Sequence, residues 1–113
     1  MSKARIFKGM IGFLVACALL YIGGCSIKTA RLQRQFDLIS VGDARDRVVK
    51  AFGAADVEET GEEPFLRYSS NKCMDACNVR LWYANRMTLD IEAWSFDIDR
   101  NGQVVHKYHW VSP

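Results

Sequence analysis

From Gly9 to Ile27 the chain carries no charged residue, and this stretch follows directly on a basic start made by Lys3, Arg5 and Lys8. Its centre, Met10 to Ile22, is a dense apolar run. A positive n-region, an apolar h-region of this length and small residues after it form the pattern of a secretory signal. A retained transmembrane helix needs about 20 apolar residues, and the uncharged run comes close to that. Its four glycines weaken it as a helix. A buried core helix is a third reading, disfavoured because nothing polar interrupts the run.

The residues after the run separate the first two readings. Ile22-Gly23-Gly24-Cys25 has the form of a lipobox, with a branched apolar residue three before a cysteine and small residues between. On that reading a signal peptidase cuts before Cys25, which then carries the lipid. On the other, the segment stays as a membrane helix. The flanking charges do not decide its orientation, because Lys28, Arg31 and Arg34 stand on the far side. The expected layout is a signal peptide or anchor over 1–24, a tether over 25–34, and one domain over 35–113. The remaining length holds one domain and not two.

Removing residues 1–24 takes three of the fifteen basic residues, so twelve basic residues face thirteen acidic ones. The basic excess therefore belongs to the leader. Nucleic-acid binding, which needs a clustered basic face, is not expected. Cys17 and Cys25 are accounted for by the leader and the lipid site. Cys73 and Cys77 remain, an even pair in an oxidising compartment, and are expected to form a disulfide.

Within the domain, Leu32, Phe36 and Ile39 are spaced for one face of a helix. Val41-Gly42-Asp43 breaks that segment, and Asp43 is positioned as an N-cap with Asp46 three residues later. A second helix is predicted over Ala44 to Phe52, burying Val48, Val49 and Phe52 and ending at Gly53. From Asp56 onward the pattern is β-like. Strands are predicted over Phe65 to Ser69, Val79 to Tyr83, Leu89 to Ile98 and Val104 to Val111, with a parity change near Ala93 that suggests a bulge. Asn101-Gly102 is a strong hairpin signal before the last strand. The fold class is thus α+β: two N-terminal helices packed on one face of a three- to four-stranded antiparallel sheet, preceded by the signal or anchor segment.

Two stretches carry a family resemblance. Ile39-x-Val41-Gly42-Asp43, followed by Val48 and Phe52-Gly53, resembles the I-x-x-G-M-(S/T)…V…L-G-x-P segment of the SmpA/OmlA (BamE-like) lipoproteins. Phe96-Asp97-Ile98-Asp99-Arg100-Asn101-Gly102-Gln103-Val104 resembles their F-D-x-D-G-x-V hairpin. The match covers most of residues 36–57 and 94–105. It departs from the family pattern at Asp43, where Met is usual, and at Ala54-Ala55, which replaces the x-Pro after the glycine. The resemblance implies two helices on a three-stranded antiparallel sheet, a lipid anchor in the outer membrane facing the periplasm, and a binding role in envelope integrity. In that family Ser26, rather than Asp, after the lipid cysteine implies transfer to the outer membrane.

Candidate chemistry is sparse. Asp97, Asp99, Asn101 and Gly102 match the opening of a calcium loop, but the twelfth position, which needs a bidentate Glu, is Tyr108. Cys73, Cys77, His106 and His109 suggest zinc, yet the odd spacing of the histidines puts them on opposite strand faces. No nucleophile stands beside a base in a recognisable motif, no phosphate loop is present, and Cys73 and Cys77 lack redox C-x-x-C spacing. No enzyme activity, metal, cofactor or small-molecule substrate is expected. Aromatic residues crowd the predicted strands, and those turned from the helices are expected on a face that no remaining segment is long enough to cover. Trp82, Tyr108 and Trp110 are therefore candidate protein-binding residues; the alternative is that they pack in the core or along the sheet edge. The expected function is a small envelope lipoprotein with a non-catalytic binding or structural role, on the periplasmic face of the outer membrane. The alternative is a periplasmic inhibitor or stress-response module held in the inner membrane by an uncleaved helix.

Overall fold

The computed structural model describes residues 3–69, 71–85 and 91–111, with the backbone alone at Cys25 and Ser26. It has an α+β architecture. A long helix α1 (Lys3–Leu38) and a short helix α2 (Arg45–Phe52) precede strands β1 (Val57–Glu59), β2 (Val79–Ala84), β3 (Glu92–Ile98) and β4 (Val104–Val111). The strands form one antiparallel sheet in the order β1-β2-β3-β4. Both helices pack on one face, as the sequence predicts.

The inner face of the sheet is a row of large apolar residues at alternating positions. Leu81, Tyr83, Trp94, Phe96, Ile98 and Val104 are all buried there, against Phe36 of α1, Ile39 just past its end and Val48 of α2. Phe52 reaches into the same layer, with ring centroids 5.0 Å from Tyr83 and 5.2 Å from Phe96. Val49, expected in the buried stripe of α2, is exposed instead. An eight-residue helix presents too narrow a face to bury three adjacent columns.

Residues 25–34, expected as a tether, are helical and continuous with the apolar segment. Leu32 packs on the core, Gln33 accepts a hydrogen bond from Trp94 Nε1 at 3.1 Å, and Thr29 Oγ1 accepts one from Asn85 Nδ2 at 2.9 Å. The last turn of α1 contains no basic residue to satisfy its terminal carbonyls. Cations from elsewhere do so: Lys107 Nζ donates to Phe36 O at 2.8 Å and Arg47 Nη2 to Leu38 O at 3.2 Å.

The start of α2 also differs from expectation. Ala44, not Asp43, occupies the N-cap position, and no side chain caps the helix. The Arg45 N–H donates to Gly102 O of the β3–β4 turn at 2.8 Å, so a hairpin carbonyl satisfies a helix-terminal donor. The Asp43 carboxylate accepts from Ser40 N–H at 2.8 Å and lies 3.3 Å from Arg47, closing the turn before the helix. Gly53 ends α2 at φ +85, donating to Val49 O at 2.7 Å, which is the C-terminal role expected of it.

Two strand expectations are corrected. Phe65 to Ser69 is irregular, and the first strand is Val57–Glu59. The register irregularity lies between Asp97 and Ile98, opposite His106 and Val104, rather than near Ala93. The parity change in the sequence instead marks the entry to β3: Ile91 is exposed before the strand begins at Glu92, while Leu89 and Asp90 are outside the described residues.

Tyr83 gives a pH test of this packing. Its hydroxyl donates to Gly53 O at 2.9 Å, and burial pushes its pKa up to about 12, with Asp56 and Glu58 adding to the rise and Arg45 opposing it. An unfolded tyrosine ionises near 10, so the folded state holds this proton more tightly. The resulting stabilisation is complete below pH 10 and is lost as the pH rises through about 12. Tyr83→Phe is expected to cost about 1 kcal/mol at neutral pH through the lost hydrogen bond. It should also unfold with a shallower alkaline decline than the parent, as measured by urea midpoints across that range.

Candidate interaction surface

The outer face of the sheet, away from the helices, carries two adjacent cross-strand rows. In the first, strand register aligns Glu59, Arg80, Asp97 and His106 across all four strands. Arg80 grips Asp97 with Nε to Oδ1 at 2.5 Å and Nη2 to Oδ2 at 3.3 Å, and its Nη1 reaches Glu59 Oε1 at 3.4 Å. Glu59 is 0% exposed, Asp97 3% and Arg80 5%. Burial works against the arginine's charge, but the hydrogen bond and charge of Asp97, helped by Glu59, outweigh it and raise the Arg80 pKa. Two buried carboxylates share this cation. His106 Nδ1 stands 3.8 Å from Asp97 Oδ2 at the solvent edge.

The second row is aromatic. Trp82, Trp110 and Tyr108 run toward the β4 edge, with centroids 5.8 Å apart for Trp82–Trp110 and 5.3 Å for Tyr108–Trp110. Trp110 Nε1 donates to the buried Ser95 Oγ at 2.8 Å, which fixes the indole over the sheet.

This face is covered over β1 and β2, contrary to expectation. The long β1–β2 connection folds back across it. Phe65 and Tyr68 pack on Trp82 with centroids at 5.4 and 5.5 Å. Trp82 Nε1 donates to Glu59 Oε1 at 2.8 Å, leaving Trp82 1% exposed. Of the three candidate residues, Trp82 is thus interior to the fold. Tyr108 is 39% exposed and Trp110 half-buried, and these two remain at the surface. The described residues of this nineteen-residue connection carry no regular structure, and nothing in its sequence pattern shows that Phe65 and Tyr68 turn inward together.

Cys73 and Cys77 form the expected disulfide within this covering segment. It closes a short ring next to the point where two backbone groups enter the charged row: Cys73 N–H donates to Glu59 Oε2 at 3.1 Å, and Asn71 O accepts from Arg80 Nη1 at 2.8 Å. The disulfide removes the thiolates from the zinc reading. The two histidines do face opposite ways, with His106 beside Asp97 on the outer face. His109 lies on the inner face, stacked on Trp94 at 5.4 Å and paired with Glu92 Oε2 at 2.7 Å. The calcium-like segment is a turn in which Asp99 Oδ1 accepts from the N–H groups of Asn101 and Gln103, both at 2.9 Å, while Asp97 belongs to Arg80. Between the disulfide loop and β4 lies an open cleft walled by Asn71, Lys72, Met74, Asp75, His106 and Tyr108. The lipid candidate Cys25 has a helical backbone, and its side chain is outside the described residues.

The buried Glu59–Arg80–Asp97 row was missed in the sequence, because strand register alone brings those three residues together. Comparison of the chain with protein-family models, with curated proteins and with solved structures finds no match.

Two substitutions measure what holds the covering loop. Arg80→Ala leaves two buried carboxylates without their cation and is expected to cost about 3–5 kcal/mol in urea unfolding followed by tryptophan fluorescence. Replacing both Cys73 and Cys77 by Ser removes a short closed loop and is expected to cost about 2 kcal/mol in the same assay. Equal losses would show that the charged row contributes no more than the cross-link.

Proposed function

We propose that this chain is a membrane-anchored, non-catalytic binding module of the bacterial envelope, built on the SmpA/OmlA plan, and that it receives a protein partner at the Tyr108–Trp110 edge of its sheet. The observation that carries the reading is the contrast along α1. Its apolar window is long enough to cross a membrane and none of it is buried, whereas its C-terminal part is docked on a disulfide-bearing domain. A disulfide fits an oxidising compartment. An unburied apolar helix needs a lipid environment or removal as a signal.

The partner surface is argued from residue type and placement. Aromatic residues at a half-exposed edge are the enriched composition of protein interfaces. Here the indole of Trp110 is already oriented by Ser95, so little conformational freedom is lost on contact. On this reading the anchor is a lipid on Cys25 and the domain faces the periplasm from the outer membrane. An intact α1 in the inner membrane, carrying an inhibitor or stress-response module, is the second reading, favoured by the unbroken helix through Cys25.

Palmitate labelling separates the anchors. Incorporation that is lost in Cys25→Ser supports the lipoprotein, and no incorporation in the parent protein sinks it. For the partner surface, a photo-crosslinking residue at Tyr108 is expected to trap a discrete envelope protein, and Trp110→Ala to reduce that product severalfold in protein that still unfolds cooperatively in urea. An unchanged crosslink in Trp110→Ala removes this edge from consideration.

A further inference from the structure

The junction between the apolar segment and the domain is very short. Ile27 is the last residue of the uncharged run, and Thr29 is already hydrogen-bonded to Asn85 at the rim of the sheet. One helical residue, Lys28, separates them, and the rise from Ile27 to Thr29 is about 3 Å; from Cys25 it is about 6 Å. Lys28 lines a cleft together with Asp56, Ala84 and Trp94.

The connection is also braced. Asn85, 1% exposed, donates to Thr29 Oγ1 at 2.9 Å and to Glu92 Oε1 at 2.8 Å. Glu92 Oε2 holds His109 at 2.7 Å, His109 stacks on Trp94, and Trp94 donates back to Gln33 of α1. This chain runs from the helix to the residue that follows β2, on to β3 and β4, and returns to the helix one turn later. A helix pinned at Thr29, Gln33 and Phe36 has no freedom to swing as a tether would.

Pairing along α1 fixes which end of the sheet is near the apolar segment. Thr29 lies beside Asn85, Gln33 beside Trp94, and Phe36 beside Phe96 at a centroid distance of 5.6 Å. The helix thus advances in the direction of β3. The near end holds Asn85, Glu92 and Val111; the far end holds the Asp99–Gly102 turn and the disulfide loop, about 20 Å away along β3. At the near end Ile91 is 52% exposed and Val111 63%, alongside Ile27 at 71%.

We propose that this near rim is a lipid-contacting surface: Ile91 and Val111 lie against the headgroup layer, Lys28 meets its phosphates, and the disulfide loop points away from the membrane. The proposal rests on the membrane-anchored reading above and holds for either anchor, because the span end and the lipid site fall within one helical turn of Thr29. The membrane-facing element is the domain itself, so the Tyr108–Trp110 edge stands upright and is approached from the side.

The test uses protein purified from envelopes and reconstituted in phosphatidylethanolamine–phosphatidylglycerol vesicles. A fluorescent amino acid is placed at Val111 or at Asn101, two exposed positions at opposite ends of the sheet, with Ile91 as a second near-end probe. With a nitroxide attached to the lipid headgroups, quenching is expected to be severalfold stronger at Val111 and Ile91 than at Asn101. Asn85→Ala is expected to reduce that contrast by releasing the brace. Equal quenching at both ends in protein that floats with the vesicles overturns the rim proposal while the anchor stands. Protein that does not float with the vesicles overturns both.

Discussion

Phe36 stands where the two parts of this molecule meet, and the rest of the fold depends on how it is held. Its ring is buried against Phe96 and His109, Lys107 lies 4.5 Å over its face, and its carbonyl accepts from the same ammonium. One β4 side chain therefore supplies a cation–π contact and satisfies a helix-terminal carbonyl. Without this docking, α2 would be the only helix over the inner face. Its eight residues bury a single valine fully and cannot shield Trp94, Phe96 and Ile98 together. The domain is complete only with the last turns of α1 in place.

The outer face solves its covering problem by different means. Neither described helix reaches it, and an irregular connection takes that role. Irregular backbone brings unpaired N–H and C=O groups that need partners when buried. The Glu59–Arg80–Asp97 row provides them: Glu59 accepts from the Cys73 amide, and Arg80 donates to the Asn71 carbonyl. A buried ion cluster is a weak source of net stability, since desolvation offsets much of its attraction. Its value here is positional. It specifies where the loop sits, and the disulfide, closed within the loop, restricts the conformations of the segment that carries the Cys73 amide.

The layout was legible in the sequence to the extent that it is local. Alternation placed β2, β3 and β4, Gly53 ended α2, and Asn101-Gly102 marked the hairpin, because strand period, left-handed glycine and turn chemistry are read within a few residues. What failed was non-local. Asp43 has the right type and position for an N-cap, but the amide it would serve is taken by Gly102 O of a hairpin some sixty residues later. Trp82 alternates toward the outer face as expected. Whether that face is open depends on Phe65 and Tyr68, whose inward turn has no periodic signal. Of the candidate surface, Tyr108 and Trp110 were readable as outward aromatics on a terminal strand. The charged row was not, because Glu59, Arg80 and Asp97 come together only through register across three strands.

The continuity of α1 changes what an anchor means for a domain of this size. A flexible tether confines a domain to a volume near the membrane and leaves its orientation free, so a partner is met at any angle. A helix that enters the core within a turn of the apolar segment fixes the orientation as well. The ordering entropy is then met during folding, through the Asn85–Glu92–His109 chain and the Phe36 dock, rather than at each encounter. On the proposed membrane-anchored reading, an edge strand held upright beside the membrane meets its partner with its aromatic residues already aligned. On the same proposed reading, weakening the dock reduces partner capture even where the contact residues are intact.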